Sequence, residues 1–98
     1  ESDYIPDDVL PELKTQEHIV SSERLDVLIS AVYNLSRNES QKRIESETVF
    51  CDSLVTVSTS YVPKNGTLIS VRGLGRFIYD GILRQTKKGR NVISVRIY

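Results

Sequence analysis

The chain has 98 residues, of which 39% are hydrophobic and 27% are charged, and its formal net charge is zero. This size and composition are typical of one globular domain with a modest core. They exclude a membrane-spanning helix, because no apolar run approaches about 20 residues. With one cysteine and one histidine, the chain has neither an internal disulfide nor a zinc site built from its own cysteine and histidine side chains.

The first 20 residues are interpreted as an acidic linker or a loosely packed strand, with the strand at residues 17–20. They contain two prolines and little periodicity. Residues 1–23 carry seven acids and one base, a net charge of −6, whereas residues 24–98 carry twelve bases and six acids, a net charge of +6. A basic body favours a polyanionic partner. Because the chain begins at Glu1 and contains no methionine, we expect it to be part of a longer protein.

A first helix is predicted over residues 22–33, with Ser22 as its N-cap and Asn34 as its stop. Asp26 suits the positive end of the helix dipole. The apolar residues of this segment recur at i, i+3, i+4 and i+7 and form one stripe that faces the core: Leu25, Leu28, Ile29 and Val32.

A second helix is predicted over residues 37–47. Ser36 and Glu39 form a capping-box pattern, in which Ser36 caps the helix and Glu39 reaches back to it. Ile44 is the single large apolar residue, so this helix lies on the surface and is anchored by Ile44 and Ser40.

From residue 49 onward, alternating apolar residues predict strands. Turns are predicted at residues 52–53 and 63–66, and three further strands at 67–72, 76–84 and 91–98. In the last strand one set of side chains is expected to be buried and the alternate set, which includes Ser94 and Arg96, to be exposed. The expected fold is α+β, with two short helices packed against a small, mostly antiparallel β-sheet and a C-terminal β-hairpin.

The patterns of catalysis are absent from the sequence. His18 is the one histidine and lies in the acidic segment, and no nucleophile motif is present. Gly73 and Gly75 lack the further glycine and the helix start that a dinucleotide site needs. We therefore expect no enzyme activity, no metal ion and no cofactor.

A basic surface with interleaved aromatic residues remains as the functional signal. Cations suit phosphates, and rings can stack on exposed bases, so this combination favours RNA. Tyr61 and Tyr79 fit either a stacking role or the core. One acid, Asp80, opposes the seven cations of the last third of the chain: Arg72, Arg76, Arg84, Lys87, Lys88, Arg90 and Arg96.

Several motifs, taken in order, give the chain a resemblance to the S4 RNA-binding domain. They are Arg24-Leu25-Asp26, then Leu35-Ser36-Arg37, then the run Ile-Ser-Val-Arg-Gly-Leu-Gly-Arg-Phe at residues 69–77. The chain looks closest to the C-terminal domain of the bacterial YlmH-like (RqcP) proteins. The resemblance implies an S4-like domain at residues 21–77, extended by a C-terminal β-hairpin at residues 78–98.

The resemblance also implies a function and a set of binding residues. It implies that the chain binds structured ribosomal RNA and/or transfer RNA on the large ribosomal subunit, in ribosome quality control or translation in the cytoplasm. Glu47 and Ser53 depart from the family, which usually has glycine at both positions. The implied RNA-binding positions, with the basic turn of the last hairpin added, are Arg24, Ser36, Arg37, Gln41, Lys42, Arg72, Arg76, Lys87, Lys88 and Arg90.

Two other functions fit the same sequence. The polar second helix and the last strand could dock a protein, or the chain could be the accessory RNA-binding domain of an RNA-modifying enzyme. DNA is not expected as a partner, because no helix begins with base-reading residues. A membrane is not expected either.

Overall fold

The computed structural model describes residues 13–98, which form one antiparallel six-stranded sheet and two helices. This arrangement confirms the expected α+β fold. Neither helix is long and apolar enough to cross a membrane. The strand order is β1-β6-β5-β4-β2-β3. In chain order the elements are β1 (Lys14–Val20), α1 (Leu25–Tyr33), α2 (Arg37–Glu45), β2 (Val49–Cys51), β3 (Leu54–Val55), β4 (Thr67–Val71), β5 (Gly75–Gln85) and β6 (Asn91–Ile97).

The two faces of the sheet differ in what covers them. The helices pack on one face, where Phe77 and Tyr79 of β5 are fully buried. Because side chains alternate along a strand, Arg76, Ile78 and Asp80 point to the opposite face, which we call the open face. The fully buried residues of the core come from both helices and from four strands: Leu25, Leu28, Ile29, Ile44, Val49, Ile69, Phe77, Tyr79, Ile93 and Val95.

Helix α1 begins three residues later than predicted, and Ser22 is not its N-cap. Arg24 occupies the cap position and makes no side-chain cap hydrogen bond. Instead, the amides of Leu25 and Asp26 donate to the carbonyls of Tyr61 and Thr59, at 2.8 and 3.2 Å. A helix start satisfied by a distant loop leaves no local sequence pattern.

The other ends of the helix pair follow the predicted patterns in part. Asn34 ends α1 in the left-handed conformation, with φ of 56°, as predicted. The Ser36 hydroxyl accepts from the Glu39 amide at 3.1 Å, which confirms the cap of α2. The Glu39 carboxylate, however, lies 3.6 Å from Arg43 rather than reaching back. Helix α2 ends at Glu45, before Glu47, whose φ is 64°.

Strand β1 pairs with β6 over its whole length, from Lys14 opposite Ile97 to Val20 opposite Asn91. Strand β6 therefore lies between two neighbours, β1 and β5. The predicted alternation in β6 is wrong at Ser94, which is 7% exposed. Flanking strands on both sides cover a position that the alternation placed in solvent.

Gly81 lies at a bulge in β5, where the pairing with β6 shifts register between Tyr79 and Gly81. Its φ is +98°, and a Cβ built there would lie 2.5 Å from Oδ1 of Asn65. Glycine therefore fits both the positive φ at this position and the close approach of Asn65 from the 63–66 turn.

We expect Gly81→Ala to lower the free energy of unfolding by about 2–4 kcal/mol, since it combines an unfavourable φ with overpacking. Gly66→Ala is the matched control, because φ there is +89° and nothing lies within 4 Å of the added Cβ. It should lose about 1–2 kcal/mol, the backbone cost alone. Urea unfolding measures both, and equal losses would show that Asn65 does not constrain Gly81.

Candidate nucleic-acid interface

A buried carboxylate, that of Asp26, joins three of the predicted RNA-binding residues. Asp26 is 0% exposed, although it lies in the first turn of α1. Its Oδ2 accepts hydrogen bonds from Nη2 of Arg24 at 3.1 Å and Nε2 of Gln41 at 2.9 Å, and it forms an ion pair with Nε of Arg37 at 3.4 Å. The three donors come from the cap of α1 and from two turns of α2, so one oxygen gathers side chains that are distant in sequence.

This arrangement leaves most of the donors of both arginines available. Each guanidinium has five N–H groups. Arg24 donates one of them, from Nη2, to the carboxylate, and its Nε is buried without a hydrogen-bond partner within residues 13–98, whereas Arg37 meets the carboxylate as an ion pair. The side chains of Arg24 and Arg37 remain 38% and 51% exposed. Asp26 therefore holds two cationic groups in fixed positions while their outer edges face solvent, which reduces the entropy lost on binding an anion.

Small polar residues hold the two helices close together. The Ser30 hydroxyl donates to the carbonyl of Asp26 at 2.8 Å and lies 2.8 Å from the hydroxyl of Ser40. Ser40 is fully buried, as the predicted anchoring of α2 required. The short contact fixes α2 against α1 and thereby fixes the position of Arg37.

A groove connects the helix pair to the C-terminal hairpin. It has a volume of about 340 Å³, and Arg37 from α2 and Arg90 from the hairpin both line it. Ile19 and Ser30 contribute to its wall. Cations that are 53 positions apart in sequence thus share one concave surface, as the sequence led us to expect of the helix and hairpin cations.

A second groove continues from the first along the hairpin. Its volume is about 490 Å³, and it is lined by Lys87, Lys88 and Arg90 together with Ile19 and Thr86. The turn that carries these cations is closed by hydrogen bonds from the Thr86 amide to the Arg90 carbonyl at 2.7 Å and from the Gly89 amide to Thr86 at 3.0 Å. The turn is therefore a defined structure that presents its cations.

Ile19 and Arg90 line both grooves, and Arg37 links the first groove to Asp26. The cations therefore follow one another from the hairpin tip to the start of α1. We call this continuous surface the basic track, and it consists of Lys87, Lys88, Arg90, Arg37, Arg24 and Gln41.

The structure places three further predicted residues beside the helix pair but outside the basic track. The Ser36 hydroxyl oxygen is engaged as the cap of α2. Lys42 is exposed and makes no ion pair within residues 13–98. Arg72 follows β4, and its carbonyl lies 3.5 Å from Nη1 of Arg43. Lys42 thus supplies charge on α2, and the backbone of Arg72 lies beside Arg43.

The structure separates Arg76 from the predicted RNA-binding residues of the helices. Its neighbour Phe77 is buried under the helices, so the Arg76 side chain points to the open face. There its guanidinium carbon lies 4.7 Å from the centroid of the Tyr98 ring. Arg76 therefore lies on the opposite side of the sheet from the helix cations.

Three acids within the described residues are engaged by partners outside the basic track. Glu17 pairs with Arg84 at 3.3 Å, and Asp80 binds Arg96 on the open face through two contacts, at 2.8 and 2.9 Å. The carboxylate of Glu23 accepts from the buried hydroxyl of Tyr79. Burial and this carboxylate raise the pKa of Tyr79, so the ring stays neutral and belongs to the core.

Sequence reasoning missed Asp26 as a member of the site. Asp26 was interpreted through the helix dipole and as part of the Arg24-Leu25-Asp26 motif, because the sequence alone does not show that α2 returns across its carboxylate. The available signal was that Asp26 lies between two apolar residues, Leu25 and Val27. A carboxylate buried among apolar residues needs hydrogen-bonding or charged partners. Within residues 13–98, no group of His, Cys, Asp or Glu is placed to hold a metal ion.

The chain is similar to a curated protein, the ribosome-associated protein quality control protein P2 of Bacillus subtilis strain 168. The two are 30% identical over 79 residues, which is 81% of this chain. The match spans 31% of that protein, so the chain corresponds to about a third of its relative's length. No family model matches the chain.

Proposed function

We propose that this domain binds structured RNA, ribosomal RNA and/or transfer RNA, through the basic track, in the manner of an S4 RNA-binding domain. The observation that carries the proposal is the alignment of the Asp26-held arginines with the hairpin cations along two adjoining grooves. The name of the similar Bacillus protein supports a place in ribosome-associated quality control. We propose the large ribosomal subunit, in the cytoplasm, as the setting.

Binding by such a surface is electrostatic and shape-dependent. Lysines and arginines along the basic track meet successive phosphates and release their counterions. The deep groove of A-form RNA hides its base edges, so a paired stem is recognised by its backbone. We propose that the domain binds and does not catalyse.

Binding measured across a salt series tests this proposal. We expect the complete chain to bind a transfer RNA or a large-subunit RNA fragment with an affinity that falls as salt rises. The log–log slope should be roughly −0.7 to −0.9 for each phosphate neutralised. An unstructured polyanion such as heparin, added as competitor, separates RNA binding from attraction to any negative charge. If the chain instead bound a purified ribosomal protein equally well at all salt concentrations and bound no RNA, it would be a protein-interaction module.

A further inference from the structure

The loop between β3 and β4 exposes an unusual share of apolar surface close to the Asp26-held arginines. Tyr61 is 40% exposed, and it lies between two half-exposed valines, Val57 and Val62. Within residues 13–98, Tyr61 stacks on no other ring and on no cation, whereas the other exposed tyrosine, Tyr98, is covered by Arg76. A solvent-facing ring without such a partner suits a ligand that brings its own planar group.

Hydrogen bonds tie this loop to the start of α1. The carbonyl of Tyr61 accepts from the Leu25 amide at 2.8 Å, and that of Thr59 accepts from the Asp26 amide at 3.2 Å. A turn inside the loop is closed by the Tyr61 amide and the Ser58 carbonyl, at 3.3 Å. The backbone of Tyr61 is therefore attached to the segment that carries Arg24 and Asp26. Its position relative to the basic track is set before any ligand binds.

Tyr61 thus stands at the end of the basic track. Along the surface, the hairpin turn comes first, followed by Arg90, which lines both grooves, and by Arg37. The Asp26 carboxylate with Arg24 comes next, and the loop follows it. A nucleic-acid strand that follows the cations with its phosphates would reach the loop next. A phosphate-binding track that ends beside an exposed aromatic ring is the combination that captures unpaired nucleotides, because every base has a face that can stack.

We propose that Tyr61 forms a stacking subsite for an unpaired nucleobase adjoining the structured RNA bound on the track. The inference rests on the proposed function. It adds that the end of the basic track beside Tyr61 binds an unpaired nucleobase. An apolar protein surface is the alternative occupant of the loop. The backbone hydrogen bonds that tie Tyr61 and Thr59 to the arginine-bearing start of α1 favour RNA.

Two RNA probes that share one stem test the subsite. The first is a blunt RNA hairpin, and the second is the same hairpin with a single-stranded oligoadenosine extension. Both are titrated against the complete chain and against Tyr61→Ala, Tyr61→Phe and Tyr98→Ala. Tyr98→Ala is the matched control, since it removes an exposed tyrosine from the opposite face.

We expect Tyr61→Ala to weaken binding of the extended hairpin by about tenfold and to leave the blunt hairpin within about twofold. Tyr61→Phe should restore the affinity, because it keeps the ring. The salt slope should not change, since stacking releases no counterions. Tyr98→Ala should leave both probes unchanged.

Three outcomes overturn the inference. If Tyr61→Ala weakens both probes equally, the residue supports the surface in general and no base-specific subsite exists. If it weakens neither probe while Arg37→Ala weakens both, the loop is not part of the RNA site, as expected if it docks a protein. If the unmodified chain binds neither probe, the proposed function fails together with the subsite.

Discussion

Asp26→Asn should weaken RNA binding by about tenfold, even though it makes the chain more positive. Net charge alone predicts the opposite sign, because removing a carboxylate strengthens the attraction to phosphates. In the structure, however, Oδ2 of Asp26 holds Arg24, Arg37 and Gln41 at 2.9–3.4 Å. A neutral amide holds a guanidinium more weakly than a carboxylate does, so both arginines regain rotamer freedom that binding must then remove.

The same substitution should lower the free energy of unfolding by about 1–3 kcal/mol, because a charge-assisted network is replaced by weaker bonds. The amide nitrogen would occupy the place of Oδ1, which is buried and has no hydrogen-bond partner within residues 13–98. A buried donor without an acceptor adds to that cost. Chemical denaturation measures the free energy of unfolding of the variant. It also identifies conditions in which the variant is folded, and RNA binding is then measured under those conditions.

Asp80→Asn is the matched control. It changes the net charge by the same amount and also removes the partner of an arginine, but it does so on the open face, where Asp80 binds Arg96. RNA affinity should change by less than about twofold, and in the direction of tighter binding. If Asp26→Asn also tightened binding, charge alone would account for the interface, and Asp26 would have no positioning role.

Replacing Arg37 and Arg90 together by alanine should lower RNA affinity by about a hundredfold and flatten the log–log salt slope by about 1.4–1.8. Each arginine lost removes about one phosphate contact, worth a slope of about 0.7–0.9 and about a factor of ten. The two residues line one groove but lie on a helix and on a hairpin. The two single variants belong in the same measurement, because a double loss smaller than the sum of the single losses would show that both arginines act on one shared phosphate.

The control for this pair is Arg76→Ala combined with Arg96→Ala, which removes two arginines from the open face. A separation of more than about 8 Å from the bound RNA screens their charge at physiological salt, so the slope should barely change. Were the open-face pair to cost as much affinity as the groove pair, the RNA would lie on the sheet, and the basic track would not be the interface.

The local elements of this fold could be predicted because their signals lie within a few residues. Ser36 caps α2, Asn34 ends α1 with a positive φ, and the apolar stripe of α1 faces the core. In each case the responsible contacts span no more than one or two helical turns. The start of α1 was misplaced for the opposite reason: its amides bind Tyr61 and Thr59, more than 30 positions away.

The candidate site, like the fold, could be predicted from the sequence only in part. The sequence supplies the cations and their resemblance to a known motif, but strand alternation then sends Arg76 to the open face, away from Arg37. The convergence of Arg37 with Arg90 arises where one groove joins α2 to the β5–β6 hairpin. The position of Arg76 follows from its alternation with the buried Phe77, whereas the convergence of Arg37 with Arg90 is a consequence of tertiary packing that the spacing of charges does not predict.

Mapping the RNA footprint by amide chemical-shift changes tests the central claim most directly. The 98-residue chain, uniformly labelled with nitrogen-15, is titrated with a structured transfer RNA. We predict that the largest changes fall on residues 24–41 and 86–91, and that the open-face positions Leu68, Ile78 and Asp80 stay unchanged. Changes concentrated on those open-face positions, or spread evenly over both faces, would contradict a single RNA-binding surface built from the helix pair and the hairpin turn.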